Sequence, residues 1–173
     1  MKKEVKMSKV MTFSRNFPSK HIKAKEETYF VEKLWECIGL PDKEFCFNFP
    51  DEYQTFLRAD DDLVWAKGHT IRSGNRWNKG DFFSPRVWSG APYNSKQIII
   101  APDIEIKKIW DVVISVKDKH VFLDDNCFYE ERGYEEIIKK LAHNDGLSVA
   151  DFKDWFKKPF KGQVICWDEK VNY

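Results

Sequence analysis

The chain has 173 residues, 42% of them hydrophobic, and a formal net charge of +1, which fits one domain whose core needs no disulfide or metal staple. No apolar run approaches membrane-span length and no apolar signal segment opens the chain, so a membrane-spanning helix is excluded and a soluble protein is expected. Cys37, Cys46, Cys127 and Cys166 lack C-x-x-C spacing, which argues against a disulfide framework and for a reduced, cytoplasmic setting with buried, inert thiols.

In chain order, the lysine-rich first ten residues read as loose, and Met11-Thr12-Phe13 begins a short strand. Glu26 to Ile38 carries Phe30, Leu34 and Ile38 at i, i+4, i+8, with Val31 and Trp35 beside them; this predicts one helical face, closed by Gly39 and Pro41. Residues 42–62 are acidic and aromatic without clear period, with a short helix suggested over Glu52 to Leu57. From Thr70 the pattern turns to extended runs. Phe82 to Trp88 and Lys96 to Ala101 flank Ser89-Gly90-Ala91-Pro92-Tyr93-Asn94 and read as a long-looped hairpin. Glu105 to Val116 reads as one long strand, paired with His120 to Leu123. Tyr134, Ile137, Ile138 and Leu141 mark a helix ending near His143 or Asn144. After the turn Asn144-Asp145-Gly146-Leu147, Ser148 caps a second helix over Val149 to Phe156, with Asp151 in the capping-box position and Pro159 as its stop. A last strand, Gln163 to Trp167, closes the sheet. Strands interrupted by helices without βαβ alternation indicate an α+β domain on a small, bent or closed sheet.

Charge is segregated along this chain. Residues 67–96 hold six bases, Lys67, Arg72, Arg76, Lys79, Arg86 and Lys96, against Asp81 alone, and the first 25 residues hold eight against Glu4. Acids gather at Asp51, Glu52, Asp60 to Asp62, Asp124, Asp125, Glu130 and Glu131. Two readings stay open: one positive face able to attract phosphate, or charges scattered over a globular surface.

The densest chemistry lies in Lys67-Gly68-His69-Thr70-Ile71-Arg72, followed by Arg76-Trp77 and the turn Lys79-Gly80-Asp81. A desolvated lysine loses basicity and can take a proton from a hydroxyl, so Lys67 and Thr70 are candidate base and nucleophile. Arg72 follows Thr70 by two and shares its side of a strand; with Arg76 it is a candidate phosphate clamp, while Trp77 or Tyr93 offers a ring for a base. Arg15, Lys20 and His21 extend the candidate positive face, and His69 is a candidate proton carrier. The bland readings are a solvated lysine beside a strand threonine, a core Trp77, a rim Arg76, an exposed His69 and a loop-anchoring Tyr93. The four histidines form neither H-E-x-x-H nor a close pairing with cysteine, and no G-x-G-x-x-G or phosphate-binding loop occurs; no metal and no nucleotide cofactor is expected.

Taken in order, Lys67 to Arg72, Lys79-Gly80-Asp81, Val112 to Val116, Asn144 to Ser148 with the helix through Phe152, and Val164 to Trp167 resemble an ASCH domain of the PUA-like superfamily. The resemblance covers about residues 63–170. Thr12 to Pro18 and Thr28 to Lys33 look like an N-terminal extension of some bacterial and phage-associated members. It implies a small β-barrel with flanking helices over residues 63–173, an extension over 1–62 in the same globule with its helix near 26–38, and a cleft for RNA or a modified nucleoside. A compact bacterial branch is an amidohydrolase of N4-acetylcytidine; carried over by motif, its lysine, threonine and glutamate fall at Lys67, Thr70 and Asp145. Aspartate is one methylene shorter, and Gly68-His69 separates the other two. Thr70 would attack the acetamide carbonyl, neutral Lys67 would accept its proton, and Asp145 would orient the lysine or, if protonated, donate to the oxyanion. An ionised Asp145 would instead raise the lysine pKa and oppose its role as base. Three functions follow in order: a binder of RNA or a modified nucleoside, an amidohydrolase, and an interaction module whose helix presents Phe30 and Trp35 to a partner.

Overall fold

The computed structural model describes residues 7–39 and 66–173; the helix suggested over Glu52 to Leu57 lies outside them. Its strands are β1 Lys9–Thr12, β2 His69–Ser73, β3 Phe82–Trp88, β4 Gln97–Ile99, β5 Ile104–Glu105, β6 Lys108–Ser115, β7 His120–Leu123, β8 Asn126–Tyr129 and β9 Phe160–Cys166. The helices are α1 Phe30–Ile38, α2 Tyr134–Asn144 and α3 Val149–Trp155. This is an α+β fold. Among the described residues its strands form two separate sheets and close no barrel: β1-β3-β4 with β5 also on β3, and β2-β9-β6-β7-β8.

The two sheets meet through aromatic rings. Phe83, fully buried on β3, lies 5.4 Å from the Trp167 ring and 6.3 Å from Trp77, and Phe13 meets Trp167 edge-on at 6.1 Å. Each such side chain contributes about 1.5–3 kcal/mol by leaving water. Most sequence-predicted elements recur with shifted ends. The long strand expected over Glu105 to Val116 is two strands, because Ile106 N–H donates to Asp81 O while Lys107 N–H donates to Cys166 O, so the chain crosses from one sheet to the other there. Strand β8 has no counterpart in the sequence reading. The last strand is central rather than closing, pairing with β2 on one side and β6 on the other, and its run of buried residues from Gly162 to Cys166 fits that position.

Helix α1 begins at Phe30, not Glu26. The preceding segment is held by the Asn16–Glu27 bridge, by Thr28 N–H on Arg15 O (2.9 Å) and by Thr28 Oγ1 on Ser14 O (2.6 Å), which takes Glu26 to Thr28 out of helical conformation. Gly39 ends the helix at φ 64°, a left-handed angle that costs glycine little. Phe30 and Trp35 are buried in this chain's own core, and Trp35 Nε1–H donates to Ile100 O at 2.6 Å. Neither ring is available to a partner. Strand β1 pairs in parallel with β3, so the N-terminal segment is hydrogen-bonded into the later part of the chain.

Candidate functional site

Helix α2 ends where the sequence places a turn, and its last carbonyls need donors from outside the helix. Backbone N–H groups meet these, the last one from Gly68, and lysines hold the two turn carbonyls that follow. Lys67 Nζ donates to Asp145 O at 2.7 Å, Gly68 N–H to Asn144 O at 2.9 Å, and Lys33 Nζ to Gly146 O at 2.6 Å. Lys67 Nζ also donates to Asp145 Oδ1. The amine is 1% exposed, with the Phe30 ring face 4.0 Å away and the Phe13 ring 6.0 Å away. Lys67 therefore both caps a helix and forms a buried ion pair with a residue 78 positions along the chain.

Burial pushes the Lys67 amine down and the Asp145 carboxyl up, and each partner's charge opposes the other's shift. Lys33, buried beside them, is lowered to about 8 by burial and by the Lys67 charge. This lysine escaped the sequence reading, although its place three residues after Phe30, on the buried face, is the signal that finds it. His69 is fully buried, its Nδ1 3.9 Å from Asp145 Oδ1 and its ring edge-on to Tyr173 at 5.8 Å. Burial, then the Lys67 charge, holds it well below the ordinary histidine value, so it stays neutral at pH 7. Thr70 is buried on β2, and among the described residues no hydrogen bond joins its hydroxyl to Lys67 or Asp145. The structure thus brings Lys67 and Asp145 together without making Thr70 part of their hydrogen-bond network.

The arginines occupy a different place. Phe13 N–H donates to Arg86 O, so by alternation the carbonyls of Val10 and Thr12 face away from β3. Toward that side lies β2, the outer strand of the other sheet. Arg72 Nη2 donates to Thr12 O, and Arg76 Nη2 to Val10 O at 3.4 Å, so guanidinium groups bridge the two sheet edges where a closed barrel would have strand hydrogen bonds. Between the edges opens a cleft of about 360 Å³, walled by Val10 to Thr12, Arg72, Arg76, Trp77 and Tyr93, with no acidic residue among the described residues of its lining.

No family model matches this chain, and no curated protein or solved structure matches it either.

Of the rings the sequence nominates, Tyr93 stands 87% exposed on the hairpin loop, 5.2 Å from Trp88. Trp77 is core instead: it is buried, with the Arg76 guanidinium 4.9 Å from its ring centre and the Lys9 amine 5.3 Å from it. Lys9 itself is held by Asp81 Oδ2 at 2.6 Å. Arg15 lies apart, beside Glu27, Phe30 and Glu32 and donating to Ser89 O at 3.4 Å. His21 is buried and structural; Nδ1 accepts from Lys23 N–H at 3.0 Å, which leaves Nε2–H to donate to Asp151 O at 3.0 Å. A groove of about 430 Å³ near Phe122 and Gly162 sets Lys161 against Asp111 and Asp124, so it lacks the cleft's positive balance. Among the described residues no cluster of histidine, cysteine and carboxylate could hold a metal ion, and no helix is long and apolar enough to cross a membrane.

Proposed function

We propose that this chain is an ASCH-type, PUA-like protein that binds RNA or a modified nucleoside in the cleft between β1 and β2. One observation carries the reading: Arg72 and Arg76 line a cleft with no acidic residue among the described residues around it, and the exposed Tyr93 ring forms part of its wall. Guanidinium forks suit phosphate oxygens, and an exposed tyrosine suits an unstacked base. Under this reading residues 63–173 are the PUA-like domain, and residues 1–62 are an extension in the same globule that supplies β1 as the facing wall of the cleft. The β1–β3 pairing and the Lys33 and Phe30 contacts to the Lys67 region support that arrangement. A cytoplasmic location accords with the free thiols of Cys37, Cys127 and Cys166, although Cys127 is exposed on β8 rather than buried as the sequence suggests. Titration with single-stranded RNA at two salt concentrations tests the function: binding that weakens with salt is expected, and no binding at low salt rejects it.

The amidohydrolase reading rests on the Lys67–Asp145 contact alone. Against it, the lysine gives two hydrogen bonds to Asp145 and its amine is covered by Phe30, so a substrate would have to displace that ring before Thr70 and Lys67 could act on it. Chromatography of N4-acetylcytidine reactions decides: no cytidine formed, or full activity in Lys67→Ala, rejects catalysis.

A further inference from the structure

We propose that the cleft between β1 and β2 selects a terminal phosphate, a phosphomonoester on a nucleotide or on an RNA end, over the diester interior of a strand. This rests on the reading of the cleft as a nucleic-acid site and names which part of the ligand enters it. The argument begins with unused donors. A guanidinium carries five N–H groups, and Arg72 commits one nitrogen, Nη2, to Thr12 O. Its Nε–H is buried and has no acceptor among the described residues. A buried donor without a partner is a cost that an entering oxygen removes. Arg76, stacked on Trp77, likewise donates to a single backbone carbonyl, Val10 O, and neither guanidinium pairs with a carboxylate among the described residues.

Charge and shape then separate the two kinds of phosphate. Two positive charges face a space with no acid among the described residues that line it, and a monoester brings about −1.5 to −2 at pH 7 with three free oxygens, whereas a diester brings −1 with two. Three free oxygens can meet the two guanidinium groups together. A cleft of about 360 Å³ lies at the small end of ligand sites, a size for one nucleotide rather than a strand. A diester must also let the chain continue past the phosphate on both sides, and the edges of β1 and β2 wall this gap. Tyr93, exposed in the cleft wall, is where the attached base would stack.

The test compares one single-stranded RNA hexanucleotide carrying a 5′-phosphate with the same strand ending in a 5′-hydroxyl, by titration at low salt, with cytidine 5′-monophosphate and cytidine as further arms. The 5′-phosphate is expected to tighten binding about tenfold or more. Both Arg72→Gln and Arg76→Gln are expected to erase that advantage; Arg76 lies at the rim, so its variant keeps the test sound should the Arg72 variant fail to fold. Cytidine monophosphate binding as well as the phosphorylated strand assigns the site to free nucleotides, and binding of the strand alone assigns it to RNA ends; either supports the inference. Equal binding of both strands overturns it while leaving the cleft an RNA site. No binding by any probe removes both.

Discussion

Asp145→Ala takes the carboxylate from a buried amine and leaves Lys67 with the Asp145 carbonyl at 2.7 Å and the Phe30 ring at 4.0 Å. Breaking a buried ion pair from one side costs about 3–5 kcal/mol. A ceiling on the orphaned-charge penalty comes from the amine's other option, losing its proton. From an ordinary value near 10.4 that costs about 4.6 kcal/mol at pH 7, about 3.4 units at about 1.36 kcal/mol each. At pH 9.5 the same route costs only about 1.2 kcal/mol. The variant is therefore expected to lose about 3–4.6 kcal/mol at pH 7 and no more than about 1.2 kcal/mol at pH 9.5. With a urea dependence of about 2 kcal/mol per molar, the unfolding midpoint falls by about 1.5–2.3 M at pH 7. Tryptophan fluorescence in urea at both pH values measures it, with wild type alongside. A loss below about 1 kcal/mol at pH 7, or an equal loss at both, refutes the view that Lys67 is a charged, anchored cap.

Three further outcomes follow from the same contacts. Lys33 is lowered to about 8 in the fold, so between about pH 8 and its unfolded value near 10.4 the unfolded chain binds more protons and stability rises with pH, by up to about 3 kcal/mol. Urea unfolding at pH 7 and pH 10 should show this rise in wild type and not in Lys33→Met; an equal rise in the variant assigns it elsewhere. Ser148→Ala removes the oxygen that accepts Asp151 N–H at 3.0 Å, and should cost about 1 kcal/mol, read as a melting-temperature drop of about 2–4 °C. At Gly162 an added Cβ would stand 2.0 Å from the Arg72 carbonyl, so Gly162→Ala should destabilise by about 1–3 kcal/mol and weaken RNA binding together, by shifting β2 and its arginine; unchanged stability argues against the close approach of β2 and β9.

Local signals in the chain were enough to determine the elements they mark. The 3.6-residue spacing of Tyr134, Ile137, Ile138 and Leu141 appears as the buried face of α2, and Ser148 caps α3 through Asp151 N–H, because both depend on neighbours within a turn or two. Lys67 and Asp145, singled out by motif order, meet as an ion pair. What depends on distant chain was decided only by packing. Trp77 and His69 are buried because the other sheet and the Tyr173 ring cover them, β9 is central because β2 and β6 both reach it, and Phe30 closes over Lys67 because residues 14–28 hold α1 there. The arginine cleft also arises from tertiary structure: β1 and β2 are far apart in sequence and become facing edges only when two sheets form. Side-chain type and spacing set the local free energies, whereas burial and the pairing of edges are set by contacts across the whole chain.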